Sequence, residues 1–439
     1  MNEGGTDMNG NFLLKTENAQ RLYYECARDL PIIDFHNHIC AADVKNDRKY
    51  EDIVNLWLAP DPYKHRLMRI CGVDEYFITG NSEPYEKFQK FCEIFPYLAG
   101  NPVYDWSRME LSRVFGIDEP MNGINAKRLY DKTNEMLASD EFSVKSILSR
   151  FNIEYQSPVA TLTEDLSAFD GQGYAPSLRA DNLLDPDAKL IHELLHASGI
   201  AVTDDESYIK AVCVLIDRFD QKGCRFADHS LDADFFESDR GGKKTKLLVR
   251  LGTEYAKRGW TLLLHLGAKR ETSPRLRALA GPAGGFAAAG ECFNISALVD
   301  LLGEMERAGN LPDTVLFPLN MNDQTPMAVL QGSFSQDGVP SKVQLGPAWW
   351  WCDHALGITN TLDLIASFGG VSQFIGMTTD SRSILSFVRH DYFRRLLCSW
   401  LDGRNESGEW GLSFDMQAEY VKKICCENAK AKIGKGNLI

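Results

Sequence analysis

Short apolar runs recur along most of this chain, separated by longer stretches in which apolar residues return every three or four positions. Runs of the first kind are β-prone and read as strands: Ile153–Ala160, Tyr174–Leu178, Arg225–His229, Thr261–Leu266, Thr314–Leu319, Val343–Trp350 and Phe374–Thr379. Stretches of the second kind, Asp205–Lys222, Lys243–Arg258, Ser296–Ala308, Leu356–Ser367 and Ile384–Asp402, have helical spacing and lie between most of those neighbours. With Ile32–Phe35 near the N-terminus they make eight strands in β–α order. Such alternation predicts a parallel sheet, and eight repeats favour a closed (β/α)8 barrel of TIM type over an open doubly wound sheet.

The pattern departs from this rhythm once. Ahead of the first strand, Thr16–Arg28 reads as a helix with Thr16 as its N-cap and apolar positions at Leu22, Tyr23 and Cys26. After it, from about Ala41 to Phe151, few runs are strand-like, and the windows Tyr50–Leu58, Tyr85–Phe95 and Ala126–Ala138 have spacing nearer 3.6 than 2. A stretch of roughly 110 residues is too long for a connecting loop and reads as a helical insertion. The expected division is residues 1–40 (helix and first strand), 41–150 (insertion shaping the pocket) and 151–439 (the rest of the barrel). Gly281-Pro282-Ala283-Gly284-Gly285 reads as a loop between helices.

Composition narrows the partners. The 439 residues carry a net charge of -14, which argues against nucleic acid and anionic membrane. A small anionic substrate stays open, because an arginine cluster or a metal inverts the field inside one cleft. The eleven cysteines include no C-x-x-C pair. Met1–Asn11 is Gly/Asn-rich and acidic rather than a secretory leader. Together these suggest reduced thiols and a cytoplasmic protein. No apolar run approaches the ~20 residues of a membrane span. Neither G-x-G-x-x-G after an early strand nor G-x-x-x-x-G-K-[ST] occurs, so no nucleotide cofactor is expected.

In a barrel of this kind, chemistry sits at the C-terminal ends of the strands. The polar residues there are His36 and His38, Arg179 and Asp181, Asp228-His229, His265, Asn320 and Asn322-Asp323, Trp349-Trp350-Trp351, and Asp380-Ser381-Arg382. His36 and His38, spaced i, i+2 on a strand, project from one face. With Asp380 they form a candidate two-nitrogen, one-oxygen site for one divalent ion, to which His265 could add a fourth ligand. Such donors suit Zn²⁺ first, with Mn²⁺ and Fe²⁺ as alternatives. Each residue also has a plainer role open to it. Asp380 is well placed to cap the helix beginning at Ser381-Arg382-Ser383-Ile384. Arg179 and Arg382 are either solvated arginines or a bidentate carboxylate clamp. At least one of the three tryptophans belongs to the core. His229 is either a satisfied buried histidine or a substrate contact.

Taken in order, these residues resemble the uronate isomerase (glucuronate isomerase) family of the amidohydrolase superfamily. The similarity rests on Asp34-Phe35-His36-Asn37-His38, Gly100-Asn101-Pro102-Val103-Tyr104, Ser177-Leu178-Arg179-Ala180-Asp181, Ala227-Asp228-His229-Ser230-Leu231-Asp232, His265-Leu266-Gly267-Ala268 and Trp349-Trp350-Trp351-Cys352-Asp353. Its longest block is Gly376-Met377-Thr378-Thr379-Asp380-Ser381-Arg382-Ser383, followed by Arg389-His390-Asp391-Tyr392-Phe393-Arg394-Arg395.

The resemblance implies a distorted (β/α)8 barrel with a helical insertion after strand one. It implies aldose–ketose isomerisation of hexuronates, D-glucuronate with D-fructuronate and D-galacturonate with D-tagaturonate. It also implies a metal held by His36, His38 and Asp380, and a sugar acid contacted by Arg179, Arg382 and Tyr63. In a cis-enediol route Asp380 would accept a proton from a substrate hydroxyl, Arg382 would hold developing negative charge and Tyr63 would shuttle a proton. The chain departs from the family pattern in the insertion. Pro62 and His65 stand where Asp-His-Tyr-Lys-Trp-Arg is usual, and Asp105 and Arg108 replace histidines of Tyr-His-Trp-Thr-His. Glu271-Thr272-Ser273 replaces an Asn-rich tract. Two other readings remain: a metal-dependent hydrolase of a sugar-acid lactone, ester or amide, and a barrel that binds a sugar acid without turnover. The sequence leaves room for a homo-oligomer.

Overall fold

The computed structural model describes residues 10–434; most of Met1–Asn11, on which the leader reading rests, lies outside them. Among the described residues there are eight strands: β1 (Ile32–Asn37), β2 (Ile153–Thr161), β3 (Ser177–Arg179), β4 (Phe226–Asp232), β5 (Thr261–Lys269), β6 (Ala288–Ala289), β7 (Asp313–Pro318) and β8 (Val343–Leu345). The parallel sheet runs β1-β2-β3-β4-β5-β7-β8, and β6 pairs antiparallel with the end of β5. Helices fill most of the crossovers, among them Asp205–Gln221, Lys243–Lys257, Ile295–Arg307 and Ala355–Phe368. β5 is buried on both faces from Thr261 to Ala268, as a central parallel strand covered by helices must be. The fold is a distorted (β/α)8 barrel.

The distortion lies at the seam. The run Phe374–Thr379 forms no strand among the described residues. It passes between β8 and β1 as extended chain, held largely by side chains instead of a ladder. Ile375 N–H donates to Gln344 Oε1 (2.9 Å), and the Thr378 hydroxyl accepts from the His36 N–H (2.9 Å) and shares its one hydrogen between the His36 carbonyl (2.6 Å) and Asp34 Oδ1 (2.8 Å). Two backbone bonds complete the closure, Asp380 N–H to the His36 carbonyl (3.1 Å) and His38 N–H to the Ser381 carbonyl (2.8 Å). Gly376 sits at φ +90 with a Cβ position only 2.1 Å from the Ile424 carbonyl, so the backbones touch where no side chain fits. The expected strand Val343–Trp350 is also shorter: Gly346 N–H makes a last bond to the Leu316 carbonyl (2.7 Å), and Pro347 has no N–H with which to continue the ladder. The Gly281–Gly285 loop leads to β6, not to a second helix.

Between β1 and β2 the described chain is helical, with Pro62–Ile70, Pro84–Ile94, Pro102–Phe115 and Ala126–Leu137 as its longer helices. Two start alike: Asp61 and Asn101 accept from the first-turn N–H groups of Tyr63 and Val103, with proline at the first helical position. The window Tyr50–Leu58 is helical only as a wide turn over Val54–Leu58. Thr16 caps the first helix, its hydroxyl accepting from Ala19 N–H at 3.0 Å. No helix among the described residues is long and apolar enough to cross a membrane. All eleven cysteines are free.

Candidate active site

A cavity of ≈ 390 Å³ opens at the C-terminal ends of the strands, within the size range of small-molecule sites. Its floor holds His36, His38, Asp228, His265 and Asp380; its sides hold Arg179, Arg270 and Arg382; its roof includes Pro62, Tyr63, Gly285 and Trp351.

On the floor, Asp380 Oδ1 lies 3.4 Å from His36 Nε2 and 3.0 Å from His38 Nε2. Asp380 is not the cap of the following turn; Ser383 is, its hydroxyl accepting from Leu385 N–H. Asp380 adopts φ +45, a left-handed conformation unfavourable for a residue with a Cβ. Burial would raise its pKa, but the two imidazoles outweigh burial and hold the carboxylate well below its ordinary range. Burial alone would lower His36 too; Asp228 and Asp380 reverse that and raise it, whereas for His38 burial prevails and its pKa falls.

His265 sits apart from this trio. Its Nδ1 pairs with Asp228 Oδ1 at 2.6 Å, and with His36 these two form a second group whose donor atoms converge as closely as the first. Two overlapping clusters of imidazole and carboxylate, sharing His36, make a donor set that fits a divalent cation. His229, the next residue on β4, projects to the opposite face, fully buried, with Nε2 3.0 Å from the Tyr255 hydroxyl. It is a core histidine and not a cavity residue, bonded through Nε2 alone; its buried Nδ1 has no partner among the described residues.

The three arginines on the sides differ in their partners. Arg179 pairs with Asp181 (3.1 Å) and lies 3.4 Å from His38 Nδ1. Arg270 pairs with Asp232 (3.0 Å), hydrogen-bonds Ser230 and lies over the Trp350 ring at 5.1 Å. Arg382 makes no hydrogen bond or ion pair with any described residue, and burial lowers its pKa. It stays charged, as guanidinium does in proteins, so it presents an unneutralised cation to whatever enters.

Tyr63 reaches the cavity from the Pro62–Ile70 helix. Its ring is edge-on to Trp106 (5.8 Å) and Trp351 (5.3 Å), and its buried hydroxyl has no hydrogen-bond partner among the described residues. Burial drives its pKa well above the ordinary value. Behind it, Arg389 stacks on Trp106 at 3.9 Å and stands 3.7 Å from Asp353. Of the three tryptophans, Trp349 is core, edge-on to His265 with ring centroids 4.6 Å apart; Trp350 and Trp351 are half-buried along the cavity.

The family model for glucuronate isomerase matches residues 6–243 and 237–432. The chain belongs to the glucuronate isomerase family. Among curated relatives, the uronate isomerase of Actinobacillus succinogenes is 36% identical over 97% of this chain and 98% of its own. That of Oceanobacillus iheyensis is 34% identical over 96% and 97%. Among solved structures, uronate isomerase from Thermotoga maritima superposes with a TM-score of 0.87 at 25% identity, covering 99% of this chain and 100% of that one.

Reading strand ends in this family member brought together His36, His38, Arg179, His265, Asp380 and Arg382, while Tyr63 came from the family resemblance. It named Asp228 at the end of β4 without giving it a role, met Asp353 and Arg389 only inside the blocks that carry the family resemblance, and passed over Arg270. Asp228 carried a usable signal: Asp228 and Ser230 alternate with His229, so one face of β4 had to hold the carboxylate. Arg389 and Asp353 carried no strand-end signal, since both lie in helical or turn segments; only the family blocks contained them.

Proposed function

We propose that this chain is an aldose–ketose isomerase for hexuronates, interconverting D-glucuronate with D-fructuronate and D-galacturonate with D-tagaturonate. One observation carries the reading: a single cavity holds the His36–His38–Asp380 cluster, the unpaired Arg382 guanidinium and the unpartnered Tyr63 hydroxyl. Those are the groups needed to bind a sugar acid and move its protons.

His36, His38 and Asp380 would hold one divalent cation, Zn²⁺ first and Mn²⁺ or Fe²⁺ otherwise, with His265 and Asp228 beside it. Bound there, the cation supplies Lewis acidity to a sugar oxygen. Arg382, with Arg179 beside it, binds the anionic acid and its enediolate. Asp380 enters ionised and accepts the proton from C2–H, not the substrate hydroxyl proton that the family resemblance suggested. The C2–H pair becomes the C1=C2 bond, and the C1=O π pair moves to O1. Tyr63, kept protonated by burial, donates to O1. In the second half O2–H returns a proton to Tyr63, its pair forms C2=O, and C1 takes the proton from Asp380. Hydrogen has moved from C2 to C1 and from O2 to O1, and both side chains are restored.

We further propose that residues 41–150 are the unit that shapes the sugar pocket, and that the enzyme works in the cytoplasm with its thiols reduced. The hydrolase and binding-only readings have no observation of their own. Cation-loaded protein incubated with D-glucuronate and followed by NMR is expected to accumulate the ketose. No turnover, together with hydrolysis of a sugar-acid lactone panel, would overturn the isomerase reading.

A further inference from the structure

We propose that Asp34 is the positioning residue that sets the geometry of the His36–His38–Asp380 cluster; this rests on the metal-site reading above. Asp34 is fully buried on β1, two residues before His36. Its carboxylate gathers five donors. Oδ1 accepts from Thr378 Oγ1 (2.8 Å) and Thr379 N–H (2.7 Å), with His390 Nε2 at 3.3 Å. Oδ2 accepts from Thr379 Oγ1 (2.8 Å) and Asn37 Nδ2 (2.8 Å).

Location turns this from a core detail into a site detail. The two histidines stand on β1 and just beyond it, whereas Asp380 stands on the segment that closes the barrel without a strand ladder. The relative position of the two sides is therefore not set by sheet register at this seam. Asp34 spans it, tying the strand that carries His36 to the peptide N–H immediately before Asp380. Asp380 is itself held at φ +45, and a strained conformation persists only where its surroundings over-determine it. The charged acceptor at Thr379 and the bond from Asp380 N–H to His36 provide that constraint. His390 brings in a third element, the Val388–Glu406 helix.

The test is Asp34→Asn in the full chain, an isosteric change that replaces one acceptor oxygen with a donor. Two readouts apply: the crystal structure of the metal-free variant, and Zn²⁺ titration of the stripped protein by calorimetry. Asp380 is expected to leave the left-handed region, and its carboxylate to lose reach of at least one imidazole. Zn²⁺ affinity is expected to fall about 10–100-fold, the range for partners that orient metal ligands. Asp380 unmoved, or moved with Zn²⁺ affinity equal to the parent's, overturns the proposal. If the parent binds no Zn²⁺, the metal reading falls and the crystal structure alone judges Asp34. If Asp34→Asn does not fold, Thr378→Val is judged by the same criteria, with Thr378→Ser expected to retain parental behaviour.

Discussion

At the residue scale, the site is a set of groups whose ordinary partners are withheld. The buried Tyr63 hydroxyl has none, so Tyr63→Phe breaks no hydrogen bond. It is expected to leave the melting temperature unchanged while lowering kcat about 10²–10⁴-fold, the range for a lost acid or base, as read by ketose formation and thermal denaturation of one preparation. Arg382 lacks an ion pair, and Lys offers a point charge where guanidinium offers a fork. Arg382→Lys is expected to raise KM for D-glucuronate by tenfold or more, about 1.4 kcal/mol, in steady-state assays. Asp353 is pushed up to about 7 by burial, with Asp380 adding to the rise and Arg389 opposing it. The unfolded chain titrates near ~3.9, so its stabilising share is complete below about pH 4 and is lost as pH rises to about 7. Urea unfolding in steps across that window is expected to show a falling slope in the parent that Asp353→Asn reduces.

At the element scale, the insertion and the loop before β6 act together. Arg66 donates to the Ala287 carbonyl (3.2 Å), Trp351 Nε1 to the same oxygen (3.0 Å), and Arg69 to the Gly284 carbonyl. Gly285, at φ +80, has a Cβ position 2.2 Å from the Pro62 carbonyl. The close approach works because position 285 is glycine, with no Cβ to meet that carbonyl. Gly285→Ala is expected to cost at least about 1–2 kcal/mol from the left-handed backbone alone. It should also raise KM by pushing the roof from Tyr63, which thermal melts and kinetics on the same variant would separate. Much of this level was legible beforehand. Thr16 caps its helix as short-range chemistry announced, and β1, β2, β4, β5 and β7 lie where apolar runs announced them, whereas the Asp61 and Asn101 caps went unread. The run Phe374–Thr379 was not legible as irregular. Its composition suits a strand, and only its neighbours replace ladder bonds with the Thr378 and Gln344 side chains.

At the scale of the whole molecule, one buried apolar cluster joins the barrel to the insertion, so the fold is expected to hold without a bound ion. Chelation followed by dialysis is expected to abolish turnover and leave the far-UV circular dichroism unchanged, with Zn²⁺ or Mn²⁺ restoring activity. Loss of secondary structure on chelation would give the ion a folding role instead. A net charge of -14 coexists with a cavity walled by Arg179, Arg270 and Arg382, because screening confines surface charge to short range while the enclosed guanidinium groups act at contact distance. The amino-acid sequence by itself determined the β–α order, the helical insertion and the chemical types of the metal-site candidates, since periodicity, capping and donor identity are local properties. Tertiary structure alone decided which of those types meet. It turned Asp380 from a helix cap to the histidines, paired His265 with Asp228, left Arg382 without a partner and closed the barrel through Asp34. These are contacts between residues up to hundreds of positions apart, set by how the barrel shuts and by which charges burial leaves unmatched.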